Sequence, residues 1–274
     1  MSASTGRIAL VTGATGAIGK AIARQLASFA DMSLVLVARD KLRGITAADE
    51  IVKYTGNDRI QVKVCDLSLR KEIMTLASGW VGHLDILVNN AALTPRSREE
   101  SGEGVEMQWA TNVLGYFRLT RAFAGALAKA ADPRVINVAS YWAGGLDLED
   151  PEFHRRPYHN DTAYRQSKQA NRMLSAVFAE LLRPKGISVF SCHPGDVNSN
   201  LSNNLGFGGH ESPDQGADTP VWLATSVEVG IQESGRYFES RRIRNCSFSR
   251  DRGAGEQLWK LCESYDQMNS SAMN

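Results

Sequence analysis

Residues 7–24 read RIALVTGATGAIGKAIAR, an apolar run followed by a glycine-rich turn and an amphipathic stretch. Glycines in such a turn let the backbone bend sharply and approach a pyrophosphate, and the following helix offers free N–H groups and a favourable dipole. The turn lies between the first predicted strand and the first predicted helix, as a dinucleotide site requires. A plain tight turn is the alternative. We predict a dinucleotide-binding turn formed by Gly13, Thr15, Gly16, Ala17, Ile18 and Gly19.

The end of the second predicted strand indicates which dinucleotide is bound. An NAD site normally has an acidic residue there, which accepts a hydrogen bond from the ribose 2′-hydroxyl. Here the run 34–38 ends in Arg39, and a guanidinium at this position suits a 2′-phosphate, which it can bind through two hydrogen bonds. Asp40 is adjacent and fits the NAD role after a shift of one residue, and Arg39 can also be an ordinary surface residue at the strand end. The sequence therefore favours NADP(H) and leaves NAD(H) possible.

Short apolar runs alternate with amphipathic stretches, a pattern typical of repeated βα units on a parallel sheet. Near-continuous Val, Ile and Leu content suits strands that helices cover on both faces. We predict one domain over residues 1–274, an α/β Rossmann fold with a doubly wound parallel sheet of about seven strands and helices on both faces. The predicted strands are 8–11, 34–38, 60–64, 86–88, 135–138, 187–192 and 236–238. The predicted helices are 18–29, 47–55, 70–78, 105–129, 163–182 and a C-terminal helix at 253–266.

Two irregular stretches are expected near the active end of this domain. Residues 141–162 are rich in charged and aromatic side chains, and residues 196–214 are rich in Gly, Asn and Ser without an apolar period. We expect both to be substrate-side loops, and the second to be a mobile lid that closes over the substrate. Four aromatic side chains in the first loop are candidates either for an apolar substrate pocket or for ordinary loop packing: Tyr141, Trp142, Phe153 and Tyr158.

Composition and charge narrow the class of partner. A formal net charge of +1 gives no electrostatic reason to expect nucleic acid, so a small-molecule substrate is favoured. The start of the chain is short and polar, without the pattern of a signal peptide. No run approaches the roughly 18 apolar residues of a membrane span. We therefore expect a soluble, cytoplasmic protein without a membrane span.

The cysteines and histidines show no spacing typical of a metal site, and we predict none. The cysteines lack a C-x-x-C pair and are expected to be reduced thiols: Cys65, Cys192, Cys246 and Cys262. The histidines considered are not paired at helical spacing with an acidic partner and are expected to be loop or edge residues: His154, His159, His193 and His210.

Tyr164 and Lys168 are four residues apart on a predicted helix, so their side chains share one face. A free tyrosine has a pKa of about 10 and is a poor acid or base at neutral pH. A nearby ammonium and a positively charged nicotinamide ring would favour the phenolate and lower that pKa. The phenol could then give a proton to a carbonyl oxygen, or take one from an alcohol, as hydride moves. This spacing is common on helix surfaces, so the interpretation depends on the cofactor turn.

Several landmarks occur in one order along the chain. They are Thr12-Gly13 to Gly19, Asp66, Asn89-Asn90-Ala91, Asn112, Ser140, Tyr164-x-x-x-Lys168 and Pro194-Gly195-x-Val197. With this combination the sequence resembles the short-chain dehydrogenase/reductase family over nearly its whole length, most strongly over residues 7–200. The resemblance implies a Rossmann fold and hydride transfer between nicotinamide and a carbonyl or alcohol. Assembly as a homodimer or homotetramer is possible, because family members often form such oligomers.

The resemblance also implies roles for individual residues. Ser140 would hydrogen-bond the substrate oxygen, and Tyr164 would be the general acid/base. Lys168 would hold the nicotinamide ribose and lower the pKa of Tyr164, and Asn112 would anchor a water that connects Lys168 to solvent. Cofactor-binding residues beyond the turn and Arg39 would be Asp66, Leu67, Asn90, Ala91, Tyr164, Lys168, Pro194, Gly195, Val197 and Ser199.

The role of Asp66 is open between two readings that can hold together. Its carboxylate, at the end of the third predicted strand, could hydrogen-bond the adenine amino group or cap the helix that follows.

Farther along, the resemblance implies that Pro194, Gly195 and Val197 would border the nicotinamide, with Ser199 near its carboxamide.

Within the family, the chain resembles the retinol dehydrogenase-like branch, which includes related carbonyl reductases. The resemblance rests on the long gap between Ser140 and Tyr164, the run LDLED at 146–150 and the run EQLWKLCE at 256–263. The chain departs from the usual family pattern at Ala17 and Ala92, where glycine is common, and at Ala139, where a second serine is frequent. A methyl group at residue 17 could displace the pyrophosphate slightly, although Gly16 could relieve the turn.

We therefore expect an NADP-dependent oxidoreductase that interconverts an aldehyde or ketone and an alcohol, with Tyr164 as general acid/base. Two alternatives stay open: a catalytically inactive dinucleotide-binding regulator, and an epimerase or dehydratase on the same scaffold. The sequence does not identify the substrate, because specificity is expected to lie in residues 141–162 and 196–214.

Overall fold

The computed structural model describes residues 6–271, with side chains through residue 267. Its strands are β1 (Arg7–Thr12), β2 (Met32–Ala38), β3 (Ile60–Val64), β4 (Ile86–Asn89), β5 (Arg134–Val138), β6 (Ser188–His193), β7 (Tyr237–Glu239) and β8 (Arg242–Arg244). They form one sheet in the order β3-β2-β1-β4-β5-β6-β7-β8. The chain runs outward from β1 to β3, then returns to the other side of β1 with β4. This reversal between β1 and β4 is the switch point of a doubly wound sheet, so the predicted single-domain Rossmann fold is confirmed.

Helices connect the parallel strands and cover both faces of the sheet. They are α1 (Ala17–Ala27), α2 (Lys41–Thr55), α3 (Arg70–Ser78), α4 (Gly115–Leu127), α5 (Asn160–Leu182), α6 (Asn200–Asn204), α7 (Pro213–Thr225) and α8 (Arg252–Ser271). A π-helical turn at Trp109–Leu114 leads into α4, and short 3₁₀ turns occupy Arg183–Lys185 and Phe248–Arg250.

Each face of the sheet buries its own core, because successive side chains of a strand point to opposite faces. In β1, Leu10 joins the core formed with α4, α5 and α8. Its neighbours Ala9 and Val11 join the core formed with α1, α2 and α7. The apolar runs of the sequence therefore reflect strands that are buried on both sides, as predicted.

The predicted strand number was one too low. β8 pairs with β7 antiparallel, across a two-residue turn of Ser240 and Arg241 in which both residues have positive φ. Such hairpin turns usually carry Asn or Gly, and neither is present here. All three residues of β8 are exposed, so the strand has no apolar alternation that the sequence could reveal.

Two predicted helices differ from the observed ones at their starts. The helix predicted at 47–55 already begins at Lys41, because the Asp40 carboxylate accepts a hydrogen bond from the Arg43 N–H at 2.9 Å and caps it. The helix predicted at 105–129 begins at Trp109 and is π-helical for its first turn. The buried Glu106 carboxylate accepts hydrogen bonds from the N–H groups of Gln108 and Trp109, which fixes that start.

The stretch 196–214 is more ordered than predicted, because α6 lies within it and α7 begins at its end. Ser199 and Ser202 cap the five-residue α6 through reciprocal hydrogen bonds, a local device that needs no apolar periodicity. Ser212 and Gln215 form the same kind of capping box at α7. That Ser-x-x-Gln spacing was a readable signal for a helix start. The remaining predicted elements, including the C-terminal helix, are found near their predicted residues.

Candidate active site

Four neighbouring strands end at one edge of the sheet and bring the predicted site residues together. β1 ends at Thr12 and β4 at Asn89, whereas β5 and β6 end just before Ser140 and Pro194. Since ligands of open parallel sheets bind outside the carboxyl ends of the strands at the switch point, this edge is the candidate active site.

The glycine turn after β1 is held by close backbone contacts. Gly13 has a φ of +66°, and a Cβ there would lie 2.8 Å from the Ala91 Cα. A Cβ at Gly19 would overlap the Gly13 carbonyl and the Asn90 amide. At Gly16 the nearest atom to such a Cβ is 3.4 Å away, which is ordinary contact. The turn therefore requires glycine at 13 and 19, and the absence of glycine at residue 17 does not disturb this geometry.

Thr12 and Asn90 join the glycine turn to the end of β4. The Thr12 hydroxyl accepts hydrogen bonds from the N–H groups of Asn90 and Ala91 at 2.9 and 3.1 Å, and donates to the Val88 carbonyl. The Asn90 amide donates to the Thr12 carbonyl at 2.9 Å. Asn90 thus positions the turn through its side chain. Thr12 has no role of its own in the sequence-based prediction.

The start of α1 is built to receive a negative group. Gly16 is its N-cap and supplies no side chain, and the first turn contains no acidic residue. The N–H groups of that turn therefore lack a side-chain partner and carry the positive end of the helix dipole. A backbone cradle that a Cβ would fill, next to an uncapped helix start, fits the pyrophosphate of a dinucleotide.

Arg39 and Asp40, which follow β2, have different surroundings. The Asp40 carboxylate caps α2, whereas the Arg39 side chain is exposed beside it at the end of β2. A cleft of about 240 Å³ lies between α1 and α2, and its lining includes Thr15, Lys20 and Arg43. The lining also contains Glu50, whose carboxylate pairs with the Lys20 ammonium at 2.6 Å, so the cleft presents Arg43 beside a neutralised ion pair.

Asp66 does not cap the helix after β3, so that part of the prediction was wrong. Its carboxylate accepts hydrogen bonds from the N–H and the hydroxyl of Ser68, at 2.9 and 2.7 Å. The N-cap of α3 is Leu69, which has no side-chain cap, and the Arg70 N–H donates to the Glu103 carboxylate instead. The role of Asp66 toward an adenine stays a prediction.

Helix α5 carries Tyr164 and Lys168 side by side in the interior, where they are 7% and 2% exposed. The Lys168 ammonium lies 5.6 Å from the centre of the Tyr164 ring and donates a hydrogen bond to the Val138 carbonyl at 2.8 Å. The Ser140 hydroxyl interacts with the Tyr164 phenol and opposes the rise of its pKa. The Ser140 hydroxyl is oriented by the Trp142 N–H, 3.1 Å away. The structure thus brings these three predicted residues together.

Burial determines the protonation of this pair. It raises the pKa of Tyr164 to about 12, although the Ser140 hydroxyl opposes this rise, and the Asp196 carboxylate adds to it. It lowers the pKa of Lys168 to about 7, because a buried ammonium is poorly solvated. At neutral pH Tyr164 is therefore a protonated phenol, ready to act as a proton donor.

Asn112 lies in the π-helical turn, a feature that often marks functional sites. Its amide oxygen accepts a hydrogen bond from the Leu93 N–H at 3.0 Å, and its amide nitrogen donates to the Leu93 carbonyl at 3.1 Å. The same nitrogen is 3.4 Å from the Ser167 hydroxyl, one residue before Lys168. The side chain therefore joins the segment after β4 to α5, and its predicted role as a water anchor is untested.

The segment after β6 is packed closely against the residues that precede α7. Gly195 has a φ of +102°, and the Glu211 carboxylate occupies the space that a Cβ would need. Val197 is buried and forms a bridge with Glu211. The Ser199 hydroxyl accepts a hydrogen bond from the Ser202 N–H at 3.2 Å as the cap of α6. Cofactor contacts of Pro194, Gly195, Val197 and Ser199 stay predictions.

The four aromatic candidates fall into two groups. Tyr141 packs edge-on against His193 with ring centres 4.6 Å apart, and Trp142 packs against Phe207 of the other loop at 5.4 Å. Phe153 and Tyr158 pack against each other, and the Tyr158 hydroxyl donates to the Pro95 carbonyl. The first pair therefore adjoins Ser140, whereas the second holds the loop itself.

Within residues 6–267, no group of three His, Cys, Asp or Glu side chains is placed to hold a metal ion. The four cysteines are free and buried. In that same part of the chain, no helix combines the length and apolar character that crossing a membrane requires.

Comparisons with known proteins agree with this geometry. The family described as short chain dehydrogenase matches residues 7–207. Dehydrogenase/reductase SDR family member 12 of Bos taurus is 35% identical over 252 residues, covering 86% of this chain and 77% of the relative. Retinol dehydrogenase 12 of Mus musculus is 31% identical over 274 residues, covering 94% and 86%. The crystal structure of an uncharacterized protein from Mycobacterium paratuberculosis has a TM-score of 0.79 at 27% identity, covering 95% of this chain and 93% of that one.

Proposed function

We propose a function on the premise that the chain belongs to the short-chain dehydrogenase/reductase family and is an oxidoreductase of its retinol dehydrogenase-like branch. The proposed reaction interconverts an aldehyde or ketone and an alcohol with NADP(H). The observation that carries this proposal is the buried group of Ser140, Tyr164 and Lys168 at the same edge of the sheet as the glycine turn. A bound nicotinamide would supply the hydride in reduction and receive it in oxidation.

The chain's own residues handle the proton. The Ser140 hydroxyl interacts with the Tyr164 phenol, and both are proposed to donate a hydrogen bond to one carbonyl oxygen. As hydride reaches the carbonyl carbon, Tyr164 gives its proton to the oxygen. The phenolate that forms is stabilised by the Lys168 ammonium, 5.6 Å from the ring centre. In the reverse direction the phenolate takes the proton of the alcohol.

Two arrangements support NADP(H) over NAD(H). Asp40, the acidic residue that could bind a ribose 2′-hydroxyl, has its carboxylate engaged as the cap of α2. Arg39 is exposed next to it and can bind a 2′-phosphate through two hydrogen bonds. Arg43 and Thr15 line the adjoining cleft. The pyrophosphate is proposed to lie over Gly13 and Gly19 at the start of α1.

A catalytically inactive regulator is disfavoured because burying the groups of this site costs free energy. Burial opposes the charged form of Lys168, and cofactor binding alone does not require a general acid beside it. Turnover gives a reason for both groups, because the ammonium stabilises the phenolate only when a proton is transferred.

The direct test is a panel of aldehydes, ketones and secondary alcohols, followed at the nicotinamide absorbance with NADPH and NADH in parallel. Retinaldehyde belongs in the panel because a relative is named a retinol dehydrogenase. We expect turnover of at least one carbonyl with a preference for NADPH. A clear preference for NADH would contradict the assignment of Arg39, and no turnover on any member would contradict the proposed reaction.

A further inference from the structure

The Lys168 side chain is surrounded by groups from α4, β5 and β6, as well as from its own helix α5. The Tyr116 ring on α4 has its centre 5.5 Å from the ammonium, nearly the same distance as the Tyr164 ring on α5. The Val138 carbonyl at the end of β5 accepts a hydrogen bond from the ammonium, and the Cys192 thiol of β6 lies nearby. The sequence-based reasoning assigned no function to Tyr116.

Tyr116 shares the acceptor that fixes the lysine. Its hydroxyl donates to the Val138 carbonyl at 3.4 Å, while the Lys168 ammonium donates to the same oxygen at 2.8 Å. The Tyr116 side chain is 2% exposed and cannot turn toward solvent. Its position is set by Gly115, where a Cβ would lie 3.1 Å from the Leu67 carbonyl, so α4 packs closely at this point.

The groups that face the ammonium carry no negative charge at neutral pH. Burial raises the pKa of Tyr164 and of Cys192 to about 12, and raises that of Tyr116 well above 10. Among the described residues, no carboxylate forms an ion pair with Lys168. The charged form is therefore stabilised by two aromatic faces and one carbonyl. Aromatic faces attract a cation more strongly when water is excluded.

We propose that Tyr116 is a positioning residue, whose ring face keeps the Lys168 ammonium charged at the Val138 carbonyl. The consequence for turnover rests on the proposed function, whereas the effect on the lysine does not. Without the Tyr116 face, Lys168 loses its proton at lower pH, and the phenolate of Tyr164 loses its cation.

The test titrates Lys168 directly, by NMR of protein labelled with ¹³C-lysine and free of cofactor. Lys168→Gln assigns the signal by its disappearance. We expect Tyr116→Leu to lower the Lys168 midpoint by roughly 0.5 to 1.5 pH units, because the ring face is lost. Tyr116→Phe retains the face and should restore most of that shift.

The matched control is Phe117→Leu. Phe117 is the next residue on α4 and is fully buried, but it packs against Phe178 and Trp259 rather than Lys168. Both leucine variants should lower the melting temperature, and only Tyr116→Leu should move the lysine midpoint. A midpoint that stays in place or rises in Tyr116→Leu would overturn the proposal, as would an equal shift in the control.

A kinetic measurement then connects the lysine to turnover. With a carbonyl that the wild type reduces, the fall of kcat on the basic side should move to lower pH in Tyr116→Leu, and return in Tyr116→Phe. A loss that is equal at all pH values would contradict a role through Lys168. If no carbonyl is turned over, the proposed function fails, and the NMR titration still decides the role of Tyr116.

Discussion

The glycine turn and the loops 141–162 and 196–214, which we propose to lie on the substrate side, meet at the same edge of the sheet but are held in different ways. In the turn, backbone contacts backbone: Gly13 lies against Ala91, and Gly19 lies against the Gly13 carbonyl. Between the loops, side chains make the contact, such as the edge-on packing of Trp142 and Phe207.

This difference explains which part of the function the sequence reveals. A close backbone contact admits only glycine, so the cofactor half leaves a readable pattern. A contact between side chains can be made by many residue types, so the substrate half leaves none. The reaction class can therefore be proposed from residue identity, whereas the substrate cannot.

The largest expected effect is at Gly19. Gly19→Ala would place a methyl group against the Gly13 carbonyl, and that backbone cannot move without displacing the turn. We expect the Kd for NADPH to rise on the order of 100-fold, corresponding to an overpacking cost of about 3 kcal/mol. The measurement is a fluorescence titration with NADPH.

The matched control for Gly19 is Gly125→Ala in α4, since a Cβ at Gly125 has no neighbour within 4 Å. That variant should bind NADPH with nearly the wild-type Kd. Equal weakening in both variants would show that backbone contact is not what makes the turn specific for glycine.

Lys168 lies between the glycine turn and the two loops. We expect its burial to lower the free energy of unfolding. Because burial lowers its pKa from 10.5 to about 7, the folded state binds fewer protons than the unfolded state in that window. The contribution of Lys168 to the free energy of unfolding therefore falls as pH drops from 10.5 to 7. We expect Lys168→Met to raise that free energy by about 2 kcal/mol at pH 7, after allowing for the lost hydrogen bond.

Urea unfolding of wild type and Lys168→Met across this pH range provides the check. The difference between the two proteins should shrink as pH rises toward 10.5, and the variant should have little turnover. A variant that is less stable at pH 7 would mean that the ammonium is well accommodated, against this description of the site.

Arg39 tests the other end of the cofactor. Arg39→Ala should raise the Kd for NADPH by roughly 10-fold, because one charge-assisted contact to the 2′-phosphate is lost at an exposed position. The Kd for NADH should stay the same, which makes NADH the internal control. Equal effects on the two cofactors would assign Arg39 to general positioning of the strand end.

The smallest expected effect is in the substrate half. Phe207→Ala removes an edge-on aromatic contact, which is typically worth about 0.5–1.5 kcal/mol. We expect the KM for a carbonyl substrate to rise by no more than roughly 10-fold, with the Kd for NADPH unchanged. A change in cofactor affinity as large as the change in KM would remove the distinction between the two regions.

The sequence predicts most of the sheet and the site, because buried parallel strands and close glycine contacts leave strong patterns. It does not predict β8, whose residues are all exposed, or the π-helical turn that carries Asn112. Tyr116 was missed because its contact with Lys168 joins α4 to α5. Its position four residues after Asn112, on the same side of a helix, was the available signal.

The measurement that tests the central claim most directly compares wild type with Tyr164→Phe. NADPH-dependent reduction of the best carbonyl in the panel and the Kd for NADPH are measured on the same preparations. The proposed mechanism predicts that kcat falls by at least roughly 100-fold while the Kd changes little, since only the transferred proton is removed. A Tyr164→Phe protein that reduces the carbonyl at a rate close to that of the wild type would contradict it.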